Sequence, residues 1–381
     1  MALKPKFTRR RTVLAVVETT RGTDPGTGYA ALSLNVGATN NSTANLIERN
    51  ELSAEFGIPG LVASSKIWEA SYQAYIKGGG SVSPEPEISP FLQACASKYE
   101  AGVVLVVPSI TGTFTNGEGV TQATSSATGV VLGTTSTQIF LYTVTGTFNA
   151  TNVVTGDDSG ATATPSSVVD SAVYTPVSAF ADMKTAAIRD YPDSILKQMT
   201  YAVGNAVLNL AVEEIPTVDF TLTGIYSAPT TTSPAAATVS TVDPKPWINA
   251  TVKVGTLPAG CSAAMQSLSL DLGNTVSQIK CAEAADGITA LLVTEAMPTA
   301  SLVMTRTDLS DFNPWTLRDA STTFEIATQY GTGAGERIRI GIPSAQISAV
   351  TESDTDSLEA YNIDVAATKD GVNPKWHLIF F

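Results

Sequence analysis

The sequence predicts an all-β protein, mainly an antiparallel sandwich or barrel-like fold, with one or two short helices and a small inserted β domain. Three observations predict it. Apolar and polar residues alternate with period two through most of the chain, which sends successive side chains to opposite faces of a strand. The alternating runs are rich in β-branched residues and are broken by 29 Gly and 20 Pro. Apolar residues at helical spacing are scarce. Residues 66–76 alternate Trp68, Ala70, Tyr72, Ala74 and Ile76 with Glu69, Ser71, Gln73 and Tyr75, and Gly78-Gly79-Gly80 ends that strand. Over 89–99, Ser89 reads as an N-cap and Pro90 as a first helical residue, with Phe91, Leu92, Cys95 and Tyr99 at helical spacing. Strands follow at 206–213 and at 217–226, where Val218, Phe220 and Leu222 face away from Asp219, Thr221 and Thr223. Another spans 266–272, with Leu268, Leu270 and Leu272 against Ser267, Ser269 and Asp271. A second short helix is expected near 314–320. Ile338, Ile340 and Ile342, then Ile363 and Val365, then 376–381, complete the strands.

Residues 111–165 stand apart, nearly free of charge and rich in Thr, Ser and Gly. Thr111-Gly112-Thr113-Phe114 recurs as Thr145-Gly146-Thr147-Phe148, and the same offset of 34 residues carries Val120 onto Val154 and Ser125-Ser126-Ala127-Thr128 onto Ser159-Gly160-Ala161-Thr162. A fixed offset is the mark of two copies of one small unit. The expected organisation is an N-terminal arm (1–30), a β core (31–100 and 171–381) and an inserted β domain (101–170). Residues 19–28 and 228–246 read as irregular connections.

Hydrophobic residues are 43% of the 381, enough for a sizeable core. Charged residues are only 15%, against about 25% in an ordinary soluble domain. A surface of small neutral residues suits a protein that covers its faces with copies of itself. The formal net charge of −13 argues against gripping duplex DNA, which takes clustered Lys and Arg. Lys4, Lys6, Arg9, Arg10 and Arg11 form a basic start without an acid, so an acidic body follows a basic arm. Such a run reads as a solvated arm, as a contact to nucleic acid or as an arm ordered by docking on an acidic neighbouring subunit, the last favoured by the acidic body; removal of residues 2–17 is expected to weaken assembly and leave the fold intact. The apolar run Val13–Val17 is too short for a signal peptide, and no stretch is long enough for a membrane helix.

The chemistry-bearing candidates reduce to structural ones. With a single His (His377) and three Cys (Cys95, Cys261, Cys281) in no CxxC pattern, a His-rich or ribbon-type metal site is excluded and free thiols are expected, a Cys261–Cys281 pair being the alternative. Gly331-Thr332-Gly333-Ala334-Gly335 lacks the dinucleotide spacing and leads into a strand, not a helix, so it reads as a flexible hairpin turn. Asp354-Thr355-Asp356 with Glu359 lacks the ligand spacing of a calcium loop and reads as a solvated turn. Glu213-Glu214 and Asp157-Asp158, as strand neighbours, point to opposite faces and make no acid–base couple. No catalytic residue, cofactor or metal is expected.

Several segments resemble the bacteriophage tail tube (major tail) proteins. Arg10–Ala15 leading into Glu18-Thr19-Thr20-Arg21-Gly22-Thr23-Asp24-Pro25 is similar to their opening, and Ile47–Leu52 to the loop before their next strand. Phe220–Pro229 and Ser267–Val276 are the nearest matches, in the right order. Residues 101–170 depart from the pattern and read as an insertion, expected on the outside of the particle. The resemblance implies a β-sandwich with a flanking helix, hexameric rings joined edge to edge, and stacking into a hollow tube through which genome DNA passes. It implies a virion protein assembled in the host bacterial cytoplasm, with other tail proteins as partners and no membrane insertion. Glu69, Asp219 and Asp271 are then candidates for an acidic channel lining. Arg9, Arg10, Arg11, Glu48, Arg49 and Glu51 are candidates for contacts between subunits, together with the rest of the loop to Pro59. The alternatives are another tube-like virion protein, such as a baseplate hub or tail terminator, or a carbohydrate-binding β protein.

Overall fold

The computed structural model describes residues 10–49, 60–80, 84–234, 238–255, 257, 265–355, 357–369, 371 and 373–381. The chain folds almost entirely into antiparallel strands. The first part holds β1 (Arg11–Val17), β2 (Ala30–Ala31), β3 (Thr39–Glu48), β4 (Leu61–Tyr75) and helix α1 (Ser89–Ala94). Then come β5 (Ser97–Val106), β6 (Ile110–Thr111), β7 (Gly119–Gln122), β8 (Ala127–Thr134), β9 (Gln138–Thr145), β10 (Val154–Gly156), β11 (Thr162–Ala163) and β12 (Ser167–Pro176). β13 (Ala186–Pro192), β14 (Ile195–Ala211), β15 (Thr217–Tyr226), β16 (Thr230–Thr231) and β17 (Thr251–Val254) follow. The last part holds β18 (Met265–Asp271), β19 (Asn274–Lys280), β20 (Ile288–Ala296), β21 (Thr299–Thr305), helix α2 (Pro314–Asp319), β22 (Thr323–Tyr330), β23 (Ile338–Thr355), β24 (Leu358–Ala367) and β25 (His377–Phe380).

One run of eight strands organises the core: β3-β4-β15-β14-β18-β21-β24-β23, each antiparallel to the next. Two of these strands are long enough to serve two layers. β14 pairs with β13 along its first half and with β18 along its second. β23 likewise pairs with β25 and β22 first and with β24 later. Between the layers lies one hydrophobic core, in which Phe91 of α1 stacks on Tyr72 and meets the edge of Phe220.

Two expectations change. The helix expected over 89–99 ends at Ala94. Ala96 takes a positive φ of 51° and turns the chain into β5, so Tyr99 belongs to a strand. Ile88, not Ser89, holds the N-cap position, and the Ser89 hydroxyl bonds Glu85 instead. The arm expected over 1–30 contains a core strand: β1 pairs with β13 and β2, and Val13, Leu14 and Ala15 are buried. A deletion of 2–17 would therefore remove a core strand.

The 34-residue offset reappears in the strand register of the insertion. β7 and β10 pair so that Thr121 faces its own counterpart Thr155, and β5 and β9 so that Leu105 faces Ile139. The pair Thr121↔Thr128 is matched by Thr155↔Thr162, and Thr128↔Thr145 by Thr162↔Thr111. These registers define a pseudo-twofold axis. The pairings run β5-β9-β8-β7-β10-β11-β6, and β6 continues the path of β5, so the unit closes as a small barrel without free edges. Its core is filled from both copies, Phe114 with Phe148, Val120 with Val154, Ala127 with Ala161. Gly112 and Gly146 share a positive φ, 82° and 77°, and each lies against the alanine of the other copy, Ala161 and Ala127. The ribbon β5–β12 ties the barrel to the core, reinforced by Phe140 against Phe381 and by the Arg339 guanidinium over the Phe140 ring.

Candidate functional site

The chemistry of the molecule concentrates on one face of the eight-stranded run. Because paired residues in antiparallel strands share a face, the registers place Glu69, Ser71 and Gln73 of β4 beside Thr223, Thr221 and Asp219 of β15. Asn205, Val207 and Asn209 of β14 come next, then Asp271 and Ser269 of β18, Thr299 and Ser301 of β21, and Asp364 of β24. The three acids singled out in the sequence thus lie on a single surface, and Asp364 joins them. None of the paired positions just named carries Lys or Arg. The opposite face of the same strands is the core, with Trp68, Tyr72, Phe220, Leu222, Leu268 and Leu270 buried.

Hydrogen bonds run across this face from strand to strand. Asn35 Nδ2 donates to Gln73 Oε1 at 2.8 Å, and Gln73 Nε2 to Asp219 Oδ1 at 2.8 Å. Asn209 Nδ2 donates to Asp219 Oδ2 at 2.8 Å and accepts at Oδ1 from Ser269 Oγ at 2.9 Å. Ser301 Oγ donates to Asp364. Asn205 Nδ2 donates to Asp271 Oδ1 at 2.7 Å, and Thr43 Oγ1 to Glu69 Oε2 at 2.6 Å. Each carboxylate is therefore held by neutral neighbours. Each of the Asn and Gln amides gives one N–H to a neighbour on the face, and the four carboxylates carry its charge. Such a surface repels a polyanion instead of gripping it.

The edges of the run are open. Among the described residues, β3 pairs only with β4, and β23 beyond Ile347 pairs only with β24. At the far end of the β3–β4 hairpin, Leu46, Ile47, Leu61 and Val62 are each about half exposed. Glu48 and Arg49 sit there too, exposed. Arg9 and Glu51, the loop through Pro59 and Cys261 lie outside the described residues. Arg10 is largely exposed, 3.5 Å from Asp193. Arg11 has its partner within the chain: Nε donates to Asp190 Oδ1 at 2.8 Å and Nη2 to Oδ2, while Tyr72 donates to the same fully buried carboxylate. Asp190 holds the Arg11 pKa up against the opposing effect of burial. Arg11 is thus committed to the core instead of to a neighbouring subunit.

The segment Glu18–Pro25 proves to be a loop lock. The buried Glu18 carboxylate accepts from the backbone N–H groups of Gly22 (2.6 Å) and Tyr201 (2.8 Å) and from Thr185 Oγ1. Arg21 lies over the Phe180 ring, 3.8 Å from its centre, and donates to the Met183 carbonyl. Asp24 accepts from Tyr29, Arg189, Gln198 and the Gly26 N–H. Burial opposes ionisation of Asp24, but these donors outweigh it and bring its pKa down to about 2. The aromatic partners and Gln198 carry no local motif, which is why the sequence did not show them.

The remaining candidates are structural. Gly331 and Gly335 form the turn between β22 and β23, where Gly80 N donates to Gly335 O at 3.1 Å; the turn is packed against Gly78–Gly80 and not a free hairpin. Glu213 and Glu214, and Asp157 and Asp158, lie in turns and not in strands, and all four are exposed. His377 is buried beside Arg339, and burial pushes its pKa well down. Among the described residues no group of His, Cys, Asp and Glu could hold a metal ion, and no helix is long and apolar enough to cross a membrane. Phe114, Phe140 and Phe148 of the insertion are buried, so the barrel offers no exposed aromatic platform from them. The chain matches no model of a known protein family, and no curated protein matches it.

Proposed function

We propose that this chain is a structural subunit of a phage tail tube, whose polar sheet face lines a channel for DNA in transit. The observation that supports this reading best is the acid-bearing face described above, on a sheet whose two edges carry no further strand among the described residues. Edge strands are an aggregation hazard in a protein meant to stay alone. Here β3 offers ten residues of strand edge, nearly all exposed, as a surface on which another copy builds. Joining copies edge to edge extends the same face around a ring, and Glu69, Asp219, Asp271 and Asp364 then repeat around the lumen. A duplex passing through meets repeated carboxylates and neutral side chains, with no Lys or Arg at the paired positions of the face. Val36, Val212 and Ile215, exposed at the end of the sheet opposite the β3–β4 tip, are apolar surface for a ring stacked on the next. The closed barrel has no free edge to polymerise and belongs on the outer wall, where its bulk obstructs neither lumen nor stacking. Electron microscopy of the purified protein tests the reading. Hollow tubes are expected, with reconstructed density placing Asp219 and Asp271 on the channel wall. A protein that remains monomeric at high concentration, or a channel lined by Lys and Arg, would rule it out.

A further inference from the structure

The chain carries one arrangement of strands twice. In the first half β1 pairs with β13, β13 with β14, β14 with β15, β15 with β4, and β4 with β3. In the second half β17 pairs with β22, β22 with β23, β23 with β24, β24 with β21, and β21 with β18. The correspondence extends to detail. α1 and α2 are both six residues long with a proline in the first two positions. Each is followed by a non-glycine residue of positive φ, Ala96 at 51° and Ser321 at 52°. Phe91 of α1 meets Phe220 of β15 edge-on at 5.2 Å, and Trp315 of α2 meets Tyr361 of the corresponding β24 at 5.3 Å. The barrel enters the first half between α1 and β13, at the point where the second half passes directly from α2 to β22.

The long hairpins correspond as well. β3 and β4 form a base and, past a register shift near Ala44–Leu46, a tip. In the second half β18 and β21 form the base, and β19 and β20 the tip beyond Leu272–Gly273. The two halves meet where β14, the last strand of the first sheet, pairs with β18, the first strand of the second. Across that junction the β19–β20 tip packs on the first half, burying Ile288, Leu291 and Val293 against Ile67, Tyr201 and Val203. The counterpart tip of the first half is exposed instead: Leu46, Ile47, Leu61 and Val62 stand 53%, 52%, 56% and 49% exposed. Among the described residues the counterpart of β14, the part of β23 beyond Ile347, pairs with β24 alone. With eight alternating strands, β3 and β23 run in opposite directions, so β23 meets the β3 of a rotated copy antiparallel, as β14 meets β18.

We infer that a second copy of this chain docks here by repeating the internal junction: its β3 pairs with β23, and its β3–β4 tip lies over β23 and β24. Each chain then supplies two units to a ring, and a ring of six units closes with three chains. The docking mode follows from the internal junction alone; the number six rests on the tail tube reading. The test combines ring mass with tip variants of the full chain. Native mass spectrometry of single rings is expected to give three chains, and closed rings of six chains overturn the inference. Leu46→Asp with Val62→Asp is expected to raise the concentration needed for assembly at least tenfold, with circular dichroism and thermal unfolding of the monomer unchanged. Val153→Asp, on the barrel surface, is the control and assembles normally. Tip variants that assemble at the wild-type concentration overturn the docking. Three-chain rings that never stack uphold the docking and remove the tube reading, whereas tubes built of six-chain rings do the reverse.

Discussion

Replacing Gly78 by Ala places a methyl group where two stretches of backbone cross. A Cβ built there lies 1.9 Å from the Gly335 carbonyl oxygen, 2.8 Å from its carbon and 3.2 Å from Glu336 Cα, all backbone atoms. Ordinary contact is about 3.5 Å, so the two backbone stretches must part by roughly 1.5 Å. Overpacking of this kind costs about 1–3 kcal/mol. Parting them also loses the Gly80 N–H to Gly335 carbonyl bond, about 1 kcal/mol more. The expected loss is therefore about 2–4 kcal/mol. Gly333→Ala, in the same turn, is the control: its Cβ meets the Glu336 carboxylate, the movable end of a side chain, at 2.5 Å. That change is expected to cost under about 1 kcal/mol. Urea unfolding followed by tryptophan fluorescence measures both, as a fall in midpoint at unchanged slope. Equal losses for the two variants would refute the argument that a backbone crossing, and not turn flexibility, fixes these glycines.

Arg11→Met leaves the buried Asp190 carboxylate without its cation and is expected to destabilise by about 3–5 kcal/mol, read from the same urea titration. Asp24 has a lowered folded pKa, so its contribution to stability is present above its unfolded value and is lost as the pH falls through about 2; Asp24→Asn should flatten that part of the stability–pH curve measured by thermal unfolding. Phe114→Ala and Phe148→Ala, related by the pseudo-twofold axis, should each cost the barrel about 3–5 kcal/mol and by similar amounts, seen as matching losses of hydrogen-exchange protection confined to 97–176. Replacing 107–166 by a short linker, which spares β5 and β12, should leave inner tube diameter and ring spacing unchanged and reduce the outer diameter in electron micrographs.

Strand identity was legible in the sequence because period-two alternation records burial locally, residue by residue. Trp68 to Ile76, Val218 to Leu222 and Leu268 to Leu272 each show their core face without reference to any partner. The internal repeat of the insertion was legible for a similar reason, since small residues at a fixed offset survive wherever Gly112 and Gly146 must meet Ala161 and Ala127. That Glu69, Asp219 and Asp271 belong to strands with an apolar opposite face was also visible. That they share one surface was not, because alternation gives two faces per strand and is silent on which strands are neighbours. The extent of α1 failed for the same reason: Cys95 and Tyr99 keep helical spacing, but the turn at Ala96 is imposed by the pairing of β5 with β12. Only the tertiary structure brought Arg11 to Asp190 and Glu18 to Tyr201, more than 170 residues apart in each case. The duplication of the core is the furthest from the sequence. Its two halves share strand order and the positions of a proline, an aromatic ring and a positive φ, but few residues. A sheet needs only alternating apolar side chains of suitable total volume to pack, so many sequences meet the same demand; what is held constant between the halves is the path of hydrogen-bonded backbone, and that is decided by pairing partners far apart in the chain.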